Sequence, residues 1–342
     1  MKSRTLGLVG AACLLAVSIV AGCGKEGEPG PAAEGPKKLV YGLIAKSSTN
    51  PVFQAALEGA RARAAELTKE YAGKVEVVID WQTPAEEDAE RQANIVRQLA
   101  NKQEDAIIIS CSDANAVTDA INFAVEQKGV PVMCFDSDAA ASKRFAFYGV
   151  DDVETGKLVM KRLAEAMNGK GVVAILAGNQ NAPNLQKRVE GVRIAAKDYP
   201  GITIKEVYYH VETPEDAANR VMQVMKSNED ITGWAMVGGW PLFTDALLKN
   251  WRPGVAVVAV DALPAQLPYV EQGIAPVLLA QQIFHWGYVS VDLAFKKVYL
   301  KEKVPERNIA DLVSVTKENL GDWARKLKAW NFDVPQKYLD RP

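Results

Sequence analysis

Residues 104–138 read EDAIIISCSDANAVTDAINFAVEQKGVPVMCFDSD, and this stretch decides the fold. Ala106–Ile109 is a run of four apolar residues, and Pro131–Phe135 is a second such run. Both are short, uninterrupted and rich in branched residues, as strands buried on both faces are. Between them, Ala114–Gln127 has the spacing of a helix, so the stretch is a strand–helix–strand unit. Strands joined by helical crossovers lie parallel, and right-handed crossovers place helices over both faces of the sheet.

The same rhythm extends in both directions. Upstream, Leu39–Ala45 and Val75–Ile79 are strand candidates. A helix is expected over Val52–Tyr71, and a second one is opened by Pro84 and runs to Ala100 with Ile95, Val96 and Leu99 inward. Phe147–Val150 follows. The pattern then restarts with strands at Val172–Leu176, Thr203–Tyr208, Trp234–Val237 and Val255–Val260. Helices are expected near Thr155–Met167, Leu185–Lys197, Pro214–Lys226, Pro241–Asn250 and Ala265–Gln272, then a last strand, Pro276–Ala280, and a long helix, Phe284–Leu300. The fold class is α/β, with two doubly wound parallel-sheet domains. One comprises residues 39–150 plus 282–313, and the other residues 151–281 plus 314–342, with crossings near Val150–Asp151, Gln281–Gln282 and Val313–Val315. A length of 342 residues suits two domains.

The chain begins differently. Lys2 and Arg4 precede an apolar run, Leu6–Ala21, too short for a stable span, which reads as a secretory signal over residues 1–22. Val20-Ala21-Gly22-Cys23 resembles the bacterial lipobox, which implies cleavage before Cys23 and acylation of its sulfur. Residues 23–38, rich in Gly, Pro, Glu and Ala, have no apolar periodicity and read as a flexible tether. The expected location is extracytoplasmic, with the body anchored to the cell membrane by lipid. Removing residues 1–22 leaves 38 basic against 42 acidic residues, a net of −4 with no basic block, so nucleic acid is not an expected partner. Cys111 and Cys134 fall at the ends of neighbouring strands; free buried thiols are favoured over a bridge, because adjacent parallel strands rarely meet disulfide geometry.

In sheets of this kind ligands bind beyond the carboxyl ends of the strands. The residues there are rich in carboxylates, amides and aromatics. His210 and His285 are the two histidines, both on predicted elements, and no nucleophile elbow or phosphate loop follows a strand. Neither an enzyme, a metal nor a cofactor is expected. Amides, carboxylates and aromatic rings instead suit a polyhydroxylated guest, whose hydroxyls donate and accept while its C–H face stacks.

The chain resembles the ribose-type periplasmic binding proteins (cluster B, type I) of carbohydrate ABC importers, from Leu39 to about Val313. The resemblance rests on Asn50-Pro51-Val52-Phe53, Gly129-Val130-Pro131-Val132, Phe135-Asp136-Ser137-Asp138, Tyr148-Gly149-Val150-Asp151-Asp152, Arg188-Val189-Glu190-Gly191, Val260-Asp261 and Gln281. It implies ligand roles for Asn50, Phe53, Asp136, Asp261 and Gln281, an ABC permease as partner, and a monomeric protein that closes two domains about a hinge. Ser137 stands where ribose binders have Arg, and Gln186 and Gly239 replace two further polar contacts, so ribose itself is not implied. Lys46 with Asp136-Ser137-Asp138 is more similar to the rhamnose and autoinducer binders, which adds Lys46 and Asp138 to the candidates.

Asn184, Arg188 and Trp240 complete the set, and several members have an ordinary alternative. Asn50 also suits a helix cap, Phe53 the start of a helix core, Lys46 a solvated strand end, and Asp138 a turn. Arg188 equally suits a salt bridge, and Trp240 domain packing. The expected ligand is a small monosaccharide, deoxysugar or polyol. A sensory protein presenting a sugar-like signal to a membrane receptor uses the same chemistry, and an exported carbohydrate enzyme would need Asp136 and Asp261 as an acid/base pair.

Overall fold

A computed structural model describes residues 35–342. The signal over residues 1–22, Cys23 and most of the tether over residues 23–38 lie outside the described residues. Two six-stranded sheets organise the chain. The first half runs β1 (Lys37–Ile44), α1 (Pro51–Glu70), β2 (Val75–Trp81), α2 (Ala89–Asn101), β3 (Ala106–Ile109), α3 (Ala114–Asn122), β4 (Val132–Phe135) and β5 (Ala146–Gly149). The second runs α4 (Asp152–Ala166), β6 (Lys170–Ala177), α5 (Pro183–Ala196), β7 (Gly201–Tyr209), α6 (Pro214–Ser227), β8 (Ile231–Met236), α7 (Ala246–Asn250), β9 (Ala256–Val260), α8 (Leu267–Glu271) and β10 (Val277–Ala280). The chain then returns through α9 (Ile283–Phe295) and β11 (Arg307–Ile309), and ends with β12 (Val313–Val315), α10 (Leu320–Ala329) and α11 (Gln336–Leu339).

Strand order is β11-β5-β4-β3-β1-β2 in the first sheet and β12-β10-β9-β8-β6-β7 in the second. All pairs in the first sheet are parallel; in the second, β12 runs antiparallel to β10. Val313 pairs with Ala280, so the third passage between the sheets lies at residues 310–312, slightly before the stretch expected from the sequence. Every residue of β3, β4, β5 and β10 is buried, as the unbroken apolar runs require.

Each sheet is faced by a close helix pair made possible by glycine. A Cβ on Gly59 of α1 would sit 1.9 Å from the Phe284 carbonyl oxygen of α9, and one on Gly156 of α4 the same distance from the Arg188 carbonyl of α5. In both pairs, a helix that has just crossed from the other sheet packs on the helix following that sheet's first strand in the chain, β1 or β6. These contacts bring the amino ends of α1 and α5, with Asn50–Phe53 and Asn184–Arg188, to the same rim.

Three helix expectations need correction. Residues 84–88 are not helical: the Pro84 carbonyl accepts from Ser48 N–H, and Asp88 caps α2 through Arg91 N–H, so the helix starts five residues later than its proline suggests. Residues 241–250 form a 3-10 turn at Trp240–Leu242 and the short α7 instead of one helix. Residues 265–272 likewise divide into a 3-10 turn and α8. His210 lies one residue past β7. The thiols of Cys111 and Cys134 are free and buried, 3.8 Å apart.

Glu104, just before β3, is buried beneath Gly42 of β1, and its Oε2 lacks a partner among the described residues. Burial, together with the nearby carboxyl of Asp80, pushes its pKa up to about 8 from the ordinary 4.5. A raised carboxyl favours the folded state fully below the unfolded value and loses that advantage as pH rises through the folded one. Glu104→Gln is therefore expected to flatten the loss of thermal stability between about pH 5 and about pH 9. Melting curves with the same slope for both proteins would contradict this.

Candidate functional site

The carboxyl ends of the two sheets face each other across a narrow cleft with about 30 Å3 of free space, far below the roughly 300–1,000 Å3 usual for small-molecule sites. Lys46, Asn50, Phe53 and Asp136 line it from the first sheet; Asn184, Arg188, Trp240, Asp261 and Gln281 line it from the second. A larger hollow of about 500 Å3, beside Gln103, Lys128 and Lys301, opens at the amino ends of the first sheet's strands, without this convergence of buried polar groups.

Asp136 and Asp261 occupy equivalent places, immediately after β4 and β9. Both have left-handed backbones, with φ of 56° and 71°. Such a backbone costs a non-glycine residue about 1–2 kcal/mol, and strain of this kind gathers where side-chain direction matters more than local comfort. Asp136 accepts from Ser110 Oγ at 2.7 Å and from Asn184 Nδ2, on the other side of the cleft, at 3.3 Å. Asp261 accepts from Gln281 Nε2 at 2.9 Å. Burial raises its pKa, against the opposing effects of Gln281 and Arg188.

Arg188 is the hub of the second half-site. Its Nε donates to Asp152 at 2.8 Å, one terminal nitrogen to the Val237 carbonyl at 3.1 Å, and the other to Gln281 Oε1 at 3.0 Å. It therefore forms a salt bridge and lines the cleft at once, though its partner is Asp152 rather than the neighbouring Glu190. Burial pushes Asp152 up to about 6 despite that pairing. Gln281 faces the cleft, whereas Gln282 accepts from Lys326 outside it.

Lys46 is 2% exposed. Its Nζ lies 3.6 Å from Glu87 and 3.8 Å from Glu212, longer than the roughly 2.7–2.9 Å of a charge-assisted hydrogen bond, so its three donors stay available. Burial alone would lower its pKa; Glu212, Glu87 and Asp136 outweigh that and raise it. Asn50 combines both readings, capping α1 through Val52 N–H while lining the cleft. Phe53 does the same: its ring packs on Phe135 and Trp286, with centroids 6.4 and 5.9 Å away. The Trp240 ring lies across Gly238, where a Cβ would come within 1.9 Å of it. It meets His210 edge-on at 5.2 Å. The buried indole N–H groups of Trp240 and Trp286 have no acceptor among the described residues.

Asp138 is the exception. It forms a two-pronged pair with Arg144 through Nε and Nη2, the latter at 2.8 Å, and does not line the cleft. Among the described residues Arg144 is the buried cation that sets its direction, and the lining of the cleft does not include Asp138. Sequence reasoning missed Glu212, Trp286 and Leu185, which line the cleft together with Val52 and Gly238. Glu212 and its neighbour Glu87 come from the loops after β7 and β2, two strand ends that the search along the sequence passed over. Trp286 sits in the first turn of α9, where only the return crossing brings it under Phe53.

The periplasmic binding protein domain profile matches residues 41–302. A xylitol-binding protein of Mycolicibacterium smegmatis is 24% identical over 214 residues, 59% of this chain and 58% of that protein. The ribose import binding protein of Bacillus subtilis is 27% identical over 155 residues, 45% of this chain and 48% of that protein. The chain thus spans about half the length of these two curated relatives. Among solved structures, a solute-binding protein of Burkholderia graminis in complex with D-arabinose is 25% identical, with a TM-score of 0.75 over 82% of this chain and 96% of that one. One from Actinobacillus succinogenes with bound D-allose is 26% identical, with a TM-score of 0.72 over 82% and 98%. These relatives are binding proteins, not enzymes. With its twin parallel sheets and a profile match over most of its length, the chain belongs to the periplasmic binding protein family.

Proposed function

We propose that this chain is an extracytoplasmic lipoprotein that binds a small monosaccharide, deoxysugar or polyol in the cleft and delivers it to an ABC importer. The observation behind this reading is that Asp136 and Asp261, from opposite sheets, turn into one cleft with Lys46, Arg188, three amides and three aromatic rings. Carboxylates accept from ligand hydroxyls, Lys46 donates to them, and Asn184 and Gln281 do both. Phe53, Trp240 and Trp286 offer rings to the C–H face. The ligands named for the relatives, xylitol, ribose, arabinose and allose, are all polyhydroxylated.

The proposed motion is closure about three passages, residues 150–151, 281–282 and 310–312, between a lobe carrying the first sheet and a lobe carrying the second. A ligand bonded to both lobes favours the closed form by its differential affinity for that state. The closed face is then what the permease reads, and lipid on Cys23 holds the monomer near it.

A thermal-shift panel of pentoses, hexoses, deoxysugars and polyols, xylitol included, tests the binding. A true ligand at a hundred times its Kd adds about 2.7 kcal/mol of stability. Asp136→Asn and Asp261→Asn keep a residue that tolerates the left-handed backbone. Each removes a charged acceptor worth about 1.5–3 kcal/mol and is expected to weaken binding about 10- to 100-fold. Asp138→Ala is expected to do the opposite: it strands Arg144 and costs about 3–5 kcal/mol of stability, yet keeps the ligand-induced rise. Full affinity in both asparagine variants would remove these aspartates from the site. Cys23→Ser, expressed with its leader, is expected to move the protein from the membrane to the soluble fraction; retention in the membrane would argue against lipidation.

A further inference from the structure

At the mouth of the cleft one ammonium faces two carboxyls. Lys46, just past β1, and Glu87, in the loop before α2, belong to the first lobe; Glu212, in the loop after β7, belongs to the second. Both carboxyls lie within 4 Å of the Lys46 ammonium, Glu87 at 3.6 Å and Glu212 at 3.8 Å, and Glu212 also accepts from Asn179 N–H at 3.0 Å. Two carboxyls gathered round one ammonium in a buried site favour a proton on one of them. Glu212 is the more deeply buried, its side chain 5% exposed against 17% for Glu87, so the proton resides there.

We propose that Glu212 is a positioning residue that works as a proton-carrying latch: as the lobes close it meets Lys46 and Glu87, takes up one proton, and holds the Lys46 ammonium over the ligand. This rests on the reading of the two lobes as a closing pair. In the closed form Lys46 is raised, as a compensated cation is, while Glu212 is also raised, to about 8, as an uncompensated carboxylate is. The two differ because Glu212 is the more deeply buried of the carboxyls beside the ammonium. Burial is the main cause at Glu212, with Lys46 opposing and Glu87 adding to it.

The other charged groups nearby do not supply the same effect. Asp136 and Arg188 face Lys46 from inside the cleft. His210, two residues before Glu212, has its pKa lowered by burial, with Asp216 and Arg220 of α6 beside it. A neutral imidazole adds no charge here, and the Glu212→Gln comparison separates Glu212 from Asp152 and Asp261, which burial also raises.

The sign follows from the two states. Opening returns Glu212 to water and to the ordinary carboxylate value near 4.5. The closed form binds the proton more tightly, so the advantage is complete below that value and is lost as pH rises through about 8. Between these limits closure, and ligand affinity with it, weakens by up to about tenfold per pH unit.

The test places nitroxide labels at Glu126→Cys and Lys249→Cys, exposed positions on the two lobes, in the otherwise native chain, whose thiols among the described residues, Cys111 and Cys134, are buried. Pulsed EPR distances are measured without ligand at about pH 5.5 and about pH 8.5. The closed population is expected to be several-fold larger in acid, and the Glu212→Gln variant to give one distribution at both. Equal responses in the two proteins, or none in the parent, overturn the latch. Calorimetry with xylitol as probe, in phosphate and in Tris, reads the same proton as uptake of up to about one per ligand bound. Failure of xylitol to bind counts against the ligand reading alone, because the ligand-free distances decide the latch.

Discussion

The guanidinium of Arg188 ties the site together. It spans the first turn of α4 through Asp152, the end of β8 through the Val237 carbonyl, and the end of β10 through Gln281, which in turn orients Asp261. A buried cation without partners would cost several kcal/mol, so these segments must end where its fixed fork of donors can reach them. Two of them, Asp152 and Gln281, adjoin passages between the sheets. The same ion therefore shapes one wall of the cleft and anchors the points about which that wall would turn.

The other wall is built by a related solution with different parts. Asp136 answers Asp261 as a strand-end aspartate on a left-handed backbone, and Asn50 opens α1 where Pro183 and Asn184 open α5. The glycine contacts of α1 with α9 and of α4 with α5 set both helix amino ends at the rim. What differs is how charge is balanced. The second lobe compensates Arg188 within itself, whereas Lys46 of the first lobe finds one of its two carboxyl neighbours across the cleft. A polar contact divided between lobes would make closure an electrostatic event as well as a packing one.

Much of this was legible in the sequence. Apolar runs of four or five residues located β3, β4 and β9 because strands covered on both faces tolerate little else. Nine of the ten candidate ligand residues line the cleft because parallel strands deliver their carboxyl ends to one edge. Asp138 went astray since Asp136 and Asp138 differ only in which partner lies within reach, Ser110 and Asn184 for one and Arg144 for the other. Prolines misplaced two helix starts: Pro84 and Pro241 both follow strand ends, where a proline suits a turn as well as a first helical residue.

Taken alone, the order of residues determined the twin α/β sheets, the edge at which a ligand site would form and the chemical character of that edge, because hydrophobic periodicity and strand polarity are local properties written along the chain. Only the tertiary structure decided which charges meet. Glu87 and Glu212 reach Lys46 from loops 125 positions apart, and Trp286 reaches Phe53 after a full excursion through the second sheet. Compensation of a buried charge depends on distance through space, and no pattern along the chain encodes that.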